Sequence, residues 1–459
     1  MRDDGTSLPP GPRLPSVAQL AALLRDWPGY AAKCERRYGK IFTLRVAAVG
    51  TIVYLADPDH IKQVFAGSPR DFHAGEANSM LLGLVGEHSV LLLDDDVHAD
   101  RRRLMLGPFT RGAVDRQAGT MATIAAESIR RWPVGADIAV APYLSALTLE
   151  VILQTVIGTT DPVRLTALRG VMPKLLDLNW VAALSIARPD LHRFWPWTAV
   201  RNRLAEADRL IYAEIADRRA DPDIARRTDV LAMLIRAADT DGRHLTDREL
   251  RDQLMTLLAA GHDTTATGLA WTLERLVRHP DVLAKSVAAA HASAAGDPAG
   301  DEYLDALIKE VLRIRPVVFD VGRVLTAPAE IGGYRLPKGV MVAPGVGLVH
   351  ASADQYRDPQ RFDPDRMVGA VLGPTTWLPF GGGNRRCLGA TFAMVEMRVV
   401  LREVLRRVEL GVTTAPGERQ RLKHVTLVPD RGARITVRAR HDVPVAGEAS
   451  SPTCPVHHA

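Results

Sequence analysis

One cysteine of this chain sits where a thiolate could do chemistry. Cys387 lies in the glycine-rich stretch 380–389 (FGGGNRRCLG), directly before an apolar run with helical periodicity at residues 390–410. Glycine lets a backbone approach a bound group closely. A helix N-terminus with neighbouring arginines favours a thiolate. The residues alone leave two interpretations open: a metal-ligating thiolate, or a buried and inert cysteine, which is the commoner fate of a lone one.

A second group of polar residues interrupts the longest helical pattern in the chain. The pattern begins at a capping box formed by Thr246 and Glu249. In its middle, Ala260 and Thr264 are four residues apart and share one face, and Asp263 adjoins them. A small residue one turn before a hydroxyl would leave room for a small molecule such as dioxygen beside a proton donor. The threonine hydroxyl could instead bond back to the carbonyl four residues earlier and bend the helix.

Two further pairs have helical spacing. His98 and Arg102 are four residues apart on a helix that is expected to begin at residues 94–96, and Glu310 and Arg313 are three apart on another. Each pair lies on one helix face and could act together. For each pair the alternative is an ordinary solvated helix face with scattered charges.

Together these segments resemble the cytochrome P450 family, and the resemblance extends from about residue 9 to residue 440. The four motifs occur in the order and spacing of that family. The Ala/Gly-Gly-x-Asp/Glu-Thr motif matches residues 260–264. The loop motif Phe-x-x-Gly-x-Arg-x-Cys-x-Gly is matched by Phe380, Gly383, Arg385, Cys387 and Gly389.

The resemblance implies a haem b (iron protoporphyrin IX) with Cys387 as the thiolate ligand of its iron. Ala260 and Gly261 would lie beside the haem, and Asp263 and Thr264 would deliver protons for the reaction with O₂. Four basic residues would bind the haem propionates: His98, Arg102, Arg323 and Arg385.

The resemblance also assigns structural and pocket residues. Glu310 and Arg313 would be joined by Arg366, from the motif Phe-x-Pro-x-Arg, in a charge network that is structural and not catalytic. A short segment would lie near the distal haem face as part of the substrate pocket: Val317, Val318, Phe319 and Asp320. Asp320 is an unusual residue for such a place and could instead turn outward.

The fold implied is mainly α with a smaller β-rich part, the cytochrome P450 fold, in a single domain at residues 1–442. The reaction implied is insertion of one oxygen atom of O₂ into a lipophilic organic substrate. Electrons would come from NAD(P)H only through partner proteins, a ferredoxin or flavodoxin with its reductase, because the chain has no Gly-x-Gly-x-x-Gly fingerprint. A haem-thiolate peroxygenase or isomerase, and a haem-based binding protein without turnover, remain the alternatives.

An acidic ferredoxin could dock on the cysteine side of the haem. The resemblance puts four arginines on that side: Arg101, Arg103, Arg111 and Arg386.

Composition narrows the class of protein. Of 459 residues, 47% are hydrophobic and 24% charged, which is ordinary for a soluble globular protein. The net charge of +5 is carried by scattered residues without a basic stripe, which argues against nucleic-acid binding. Three cysteines form no disulfide framework, and the N-terminus lacks an apolar run for a signal peptide or anchor. The expectation is a cytoplasmic monomer without a membrane anchor.

Local patterns give further expectations. Residues 41–55 and 425–437 each read as a β-hairpin, the second with its turn at residues 429–432. The apolar segment 172–197, which includes Trp180, Phe194 and Trp195, is either a lid over a lipophilic site or plain core. The tail at residues 443–459 is expected to be disordered, with its Cys454, His457 and His458 outside any site.

Overall fold

The computed structural model of this protein describes residues 7–176, 194, 197–239 and 241–445. Its α-helices are α1 (Ser16–Tyr38), α2 (Pro58–Ala66), α3 (Ala74–Ala77), α4 (Leu82–Val85), α5 (Asp95–Leu106), α6 (Arg111–Asp115), α7 (Ala118–Ile129), α8 (Ala141–Ile152), α9 (Pro162–Leu176), α10 (Trp197–Ala220), α11 (Val230–Arg236), α12 (Asp247–Leu276), α13 (Pro280–Ala294), α14 (Pro298–Ile314), α15 (Val346–His350) and α16 (Ala390–Arg407). Its strands are β1 (Ile41–Val46), β2 (Gly50–Leu55), β3 (Phe72–His73), β4 (Ala136–Ala139), β5 (Arg323–Leu325), β6 (Ala329–Ile331), β7 (Tyr334–Leu336), β8 (Met341–Pro344), β9 (Val408–Gly411), β10 (Gln420–Lys423), β11 (Thr426–Pro429) and β12 (Arg434–Arg440). With 56% helix and 12% strand, the expectation of a mainly α protein with a smaller β part is confirmed.

The strands form four small sheets. The largest has the order β1-β2-β8-β5-β3, in which only the β2–β8 pair is parallel. A three-stranded sheet has the order β4-β12-β9, and the pairs β10-β11 and β6-β7 complete the set. The hairpin predicted at residues 41–55 is β1 and β2.

Most of the apolar core lies among the helices. Helix α12 passes through this core and packs against α8, α10, α14 and α16. Two smaller apolar clusters lie in the β part, one with α1, β1 and β2 and the other with α2 and β8. Val317 belongs to the helical core and Phe319 to the first of the β clusters, so one short segment joins the two parts.

Local chemistry explains where several helices begin. The Asp57 side chain accepts the Asp59 N–H (2.9 Å) and starts α2, with Pro58 in its first turn. The predicted capping box is present at the start of α12, because the Thr246 and Glu249 side chains each bond the other's backbone N–H. Helix α1 is broken at Asp26, two residues before Pro28, because proline cannot donate the N–H that a continuous helix needs.

The hairpin predicted at residues 425–437 is wrong. Strand β11 pairs with β10, which precedes it, whereas β12 pairs with β4 and β9. The Glu418 carboxylate accepts the backbone N–H groups of Arg431 (2.8 Å), Ala433 (3.1 Å) and Arg434 (2.7 Å). The backbone N–H groups at the turn are therefore bonded to Glu418. After the turn, the chain continues into β12, which belongs to a different sheet.

Two expectations from the sequence fall outside the described residues. Of the segment proposed as lid or core, the structure gives the end of α9, Phe194 and the start of α10, but neither Trp180 nor Trp195. The tail with Cys454, His457 and His458 also lies beyond the described part of the chain.

Candidate active site

The middle of α12 is open on one face. From Leu250 to Leu276 the helix is buried almost throughout, but Ala260 is exposed and Gly261 and Thr264 are partly exposed. These positions share a face because they are three or four residues apart. The helix is thus buried on both sides of an accessible patch, which borders a space open to solvent.

Small residues and one hydroxyl line this patch. The Thr264 hydroxyl donates a hydrogen bond to the Ala260 carbonyl (2.6 Å), as one of the two interpretations of the sequence predicted. The hydroxyl proton is therefore used in a bond to the helix backbone, and the hydroxyl oxygen can accept a hydrogen bond from another group. A Cβ atom on Gly261 would lie only 2.8 Å from Ile152 Cδ1, so glycine is what lets α12 pack closely on α8.

Asp263 lies in a polar network on another side of α12. Its Oδ2 atom is 3.1 Å from Lys423 Nζ of β10, and the Ser145 hydroxyl of α8 lies 3.5 Å from Oδ1. The adjacent His262 is buried, and its Nε2 is 2.9 Å from the Ser145 hydroxyl. Burial lowers the pKa of His262, and nearby Lys423 adds to this while Asp263 opposes it. The imidazole is therefore neutral near pH 7.

The cysteine loop is held tightly against α2. Gly381 and Gly383 have φ angles of +64° and +65°, which favour glycine, and the Cys387 N–H donates to the Phe380 carbonyl (2.9 Å). A Cβ atom on Gly383 would lie 2.6 Å from the Phe65 carbonyl oxygen. The loop therefore presents the cysteine in one fixed place, one turn ahead of α16.

The Cys387 thiol is enclosed by protein yet open to a space. Burial raises the pKa of this thiol, while the Gly389 N–H and the guanidinium groups of Arg102 and Arg386 lower it. The residue is nevertheless exposed, unlike the buried Cys34. A bound metal ion would supply the remaining stabilisation of the thiolate, since a coordinating thiol is deprotonated.

Four basic side chains gather with too few acids. His98 and Arg323 are 3% and 7% exposed, although neither forms an ion pair with a carboxylate of the described residues. Arg385 contacts the Asp94 carboxylate and donates to the Leu93 carbonyl (2.5 Å). Arg102 is half-buried and also forms no ion pair within the described part of the chain.

The pKa values of His98 and Arg323 are lowered, which is consistent with this shortage of nearby carboxylates. Burial, followed by Arg385 and Arg102, lowers the pKa of His98 to about 4. Burial also lowers the pKa of Arg323 to about 10, with Arg385 as the next cause. Buried cations are costly unless they are paired. A bound group with two carboxylates, such as the two propionates of a haem, would restore the balance.

The structure also brings together the three members of the predicted charge network. The Glu310 carboxylate accepts two bonds from Arg313 (2.7 and 2.8 Å), and Arg366 Nε lies 3.3 Å from the same carboxylate. Arg313 also donates to the carbonyls of His350 (2.9 Å) and Pro359 (2.8 Å). The side chains of Glu310 and Arg313 are fully buried, and they tie α14 to residues 350–366.

The segment predicted to line the substrate pocket divides between two environments. The Val317 carbonyl accepts the Leu427 N–H (2.8 Å), and Val318 is partly exposed. Phe319 is 4% exposed, its ring lies 6.0 Å from that of Trp27, and it packs in the core. Asp320 accepts a hydrogen bond from the Tyr54 hydroxyl (2.6 Å).

Several residues of the site region gave no usable signal in the sequence. Lys423 and Ser145 are far from Asp263 in the chain and adjoin it only through the fold. Glu396 could have been noticed as an acid on the apolar face of α16. It is fully buried, and burial raises its pKa well above the usual range, with a partial offset from the Thr265 hydroxyl.

Arg101 does not belong to the predicted partner surface. It is 8% exposed, contacts the Glu249 carboxylate and lies 3.4 Å from the His88 carbonyl. The exposed Arg103 forms an ion pair with Asp100, three residues before it (3.0 Å).

Comparison with known proteins agrees with this geometry. The chain is 67% identical over 450 residues to a Mycobacterium tuberculosis (strain ATCC 25618 / H37Rv) protein named as cytochrome P450 135B1, covering 97% of this chain and 95% of the relative. It is 40% identical over 449 residues to one named as cytochrome P450 135A1, covering 97% and 99%.

Solved structures share the fold. The retinoic acid bound cyanobacterial CYP120A1 matches with a TM-score of 0.81 at 23% identity, covering 95% of this chain and 100% of that one. The cytochrome P450DA haem domain matches with a TM-score of 0.78 at 24% identity, covering 95% and 98%. Within the described residues, no helix combines the length and apolar character that crossing a membrane requires.

The family model described as Cytochrome P450 matches residues 9–437, nearly the full length of the chain. The thiol ahead of α16 and the basic side chains beside it, which have few acidic partners, are what a haem-thiolate site requires. This chain therefore belongs to the cytochrome P450 family of haem-thiolate monooxygenases.

Proposed function

We propose that this protein inserts one oxygen atom of O₂ into a lipophilic organic substrate, with electrons supplied by a ferredoxin or flavodoxin and its reductase. The observation that carries the proposal is the group of buried basic side chains that lack acidic partners, Arg323 above all, beside the exposed Cys387. Haem b fits this setting, with Cys387 as the ligand and His98, Arg102, Arg323 and Arg385 at its propionates. When bound, the haem supplies the activation of O₂ and the transfer of one oxygen atom.

The open face of α12 provides the rest of the proposed site. Ala260 and Gly261 keep it narrow and free of large side chains. Because the Thr264 hydroxyl donates to Ala260, its oxygen accepts a hydrogen bond and holds a proton donor, such as an ordered water, in place. This arrangement limits stray water, which would deliver protons at the wrong moment.

Asp263 is proposed to carry protons from the surface to this face. Lys423 is about one-third exposed and contacts Asp263 Oδ2, so a proton from solvent can reach the carboxylate through it. Asp263 lies about 100° around the helix from Thr264, as 3.6 residues per turn require. Opening of the contact between Lys423 and Asp263 then lets the carboxyl group pass its proton to water at Thr264.

We also propose that residues 1–442 form one domain that acts as a monomer in the cytoplasm. The joining of the helical and β cores through residues 317–319 supports a single domain. Cys34 and Cys387 are both free thiols, which fits a reducing compartment.

The test combines a spectrum with a product. Reduced protein in the presence of carbon monoxide should give the red-shifted band of a haem-thiolate centre, and Cys387→Ser should lose it while Cys34→Ser keeps it. With a redox partner and a panel of lipids, steroids and terpenes, oxygen and NAD(P)H should be consumed and an oxygenated product released. A normal spectrum in Cys387→Ser would refute the assigned ligand, and a spectrum without any oxygenated product would refute the proposed reaction.

A further inference from the structure

Asp320 is held in one orientation by side chains from two other elements. The Tyr54 hydroxyl of β2 donates to Asp320 Oδ2 (2.6 Å), and Trp27 Nε1 of α1 donates to the same hydroxyl (3.1 Å). The Tyr54 ring is 1% exposed and stacks on Phe42, with ring centroids 5.3 Å apart and planes 7° apart. Because Tyr54 cannot move without disturbing this core, the position of the carboxylate is fixed as well.

This carboxylate has no positive partner. No lysine, arginine or histidine of the described residues forms an ion pair with Asp320, and Oδ1 makes no hydrogen bond to the described chain. Four other buried carboxylates of the described residues are each bonded to an arginine: Glu214, Asp229, Glu274 and Glu310. An ionised carboxylate away from bulk water is costly unless a cation or hydrogen-bond donor meets it.

Asp320 differs from Glu396, another carboxylate for which the described residues provide no cation. Glu396 is sealed inside the core with no exposed surface, and it can avoid the cost by remaining protonated. Asp320 is partly exposed, so a group from outside the chain can reach it. Burial raises the pKa of Asp320 to about 6, with Tyr54 opposing the rise, so the carboxylate is ionised at pH 7.

Asp320 is followed and preceded in the chain by residues that adjoin the candidate active site. The next residue, Val321, touches the cysteine loop, since a Cβ atom on Gly381 would lie 3.7 Å from Val321 Cγ1. Arg323, one of the four basic side chains of the site, follows Asp320 by three residues. The partly exposed Val318 precedes Asp320 by two residues. An apolar molecule in the site could therefore place one polar end at Asp320.

We propose that Asp320, oriented by Tyr54 and Trp27, is a recognition point for a positively charged nitrogen on an otherwise lipophilic substrate. This inference rests on the proposed function, and it narrows the substrate class to lipophilic amines. The fixed carboxylate offers a cation both charge and a free oxygen. It repels a carboxylate at the same end of a similar molecule.

The test compares two probes of opposite charge by titration calorimetry on the haem-loaded protein. Decyltrimethylammonium and decanoate carry similar apolar chains, and the quaternary nitrogen has no lone pair with which to ligate a metal. The native protein should bind the cation more tightly than the anion. Asp320→Asn should weaken binding of the cation by about tenfold and leave the anion unchanged or tighter.

Asp354→Asn is the matched control, because it changes the net charge equally at a surface carboxylate paired with Lys40. It should change neither affinity by more than about twofold. Tyr54→Phe keeps the carboxylate but frees it, and should weaken cation binding by roughly threefold. Tyr54→Phe also tests the role of Asp320 in cation binding if Asp320→Asn does not fold.

The outcomes separate this inference from the proposed function. A native protein without the haem-thiolate carbon monoxide spectrum would refute the function itself. With that spectrum present, equal affinity for the two probes, no binding of the cation, or equal effects of Asp320→Asn and Asp354→Asn would overturn the role of Asp320 alone. If Asp320→Asn does not fold, native cation binding by Tyr54→Phe would also overturn the role of Asp320.

Discussion

Lys423 Nζ lies 3.1 Å from Asp263 Oδ2, although 160 residues separate the two in the chain. Lys423 ends β10 and Asp263 lies in the middle of α12, so a strand edge meets the longest helix at this point. The pair is partly exposed, with 34% of the lysine side chain and 20% of the aspartate side chain accessible. The pair therefore lies between the buried middle of α12 and solvent.

Lys423→Met should slow turnover by roughly tenfold to a hundredfold, because the proton donor to Asp263 is lost. Asp263→Asn should slow it at least as much and increase the solvent deuterium effect on turnover. Lys285→Met is a suitable control, since Lys285 forms a similar ion pair with Asp365 (2.6 Å) on the surface. If Lys423→Met and Lys285→Met gave the same turnover, Lys423 would have no part in proton delivery.

Thr264→Ala should still bind substrate and consume NAD(P)H but release much of the oxygen as hydrogen peroxide. Thr272 provides the control, since its hydroxyl donates to the Gly268 carbonyl (2.8 Å) on the same helix and is fully buried. If back-bonding were the whole role of Thr264, both alanine variants would change thermal stability and neither would change the ratio of product to NAD(P)H. That ratio, measured with peroxide, decides between the two interpretations.

Arg323→Met should release haem about tenfold faster than the native protein, because a cation that balances a propionate is lost. The readout is transfer of haem to an excess of a haem-binding acceptor. Arg313→Met is the contrasting variant, since Arg313 is already paired with Glu310. Its loss should lower the free energy of unfolding by about 3–5 kcal/mol through the stranded carboxylate. Equal haem release from the native and Arg323→Met proteins would contradict a propionate role.

Arg103→Glu should slow the first electron transfer from an acidic ferredoxin by roughly threefold to tenfold at low salt, without changing substrate affinity. The effect should shrink as ionic strength rises. Arg357→Glu is the control, because Arg357 is almost fully exposed in a different region of the chain. Arg101 is unsuitable for this test, because its replacement would strand Glu249. A rate independent of salt in the native protein would argue against electrostatic docking.

Asp320 should make the stability of the protein depend on pH. Burial raises its pKa from 3.8 to about 6, so the folded protein binds this proton more tightly than the unfolded chain does. The contribution of the protonated Asp320 to the free energy of unfolding is therefore fully present below pH 4. It is lost as the pH rises through 6. Relative to the native protein, Asp320→Asn should gain about 2–3 kcal/mol of unfolding free energy between pH 4 and pH 7.

Urea unfolding at several pH values measures this difference. Asp354→Asn should show the opposite trend, because the Lys40 contact lowers the pKa of Asp354 and its stability is lost as the pH falls. Parallel pH curves for the native protein and Asp320→Asn would mean that Asp320 is not buried in its ionised form.

Local chemistry made part of the structure predictable from the sequence. The Thr246 capping box and the Asp57 cap depend only on residues within one turn, and both helices begin where these residues stand. The bond between Glu310 and Arg313 is likewise within one turn of α14. Family resemblance then indicated which of these local features belong to one site.

Contacts between distant elements were not predictable in the same way. Nothing near Asp263 in the sequence indicates Lys423, and nothing near Asp320 indicates Tyr54, because each pair meets only after the sheets form. The wrong hairpin has the same origin, since Glu418 controls the turn from a position outside the pattern. Arg101 looked like its exposed neighbours, and only its contact with Glu249 places it inside.

The basic side chains around His98 and Arg323, which have few acidic partners, also bear on how the protein is made in a cell. A chain that gathers these charges without enough acids gains stability when a dianionic cofactor binds its native state. Newly made chains that outnumber the available haem would spend longer partly folded and exposed to proteases. The yield of intact protein should therefore follow the rate at which the host synthesises porphyrin, more closely than it follows the level of messenger RNA.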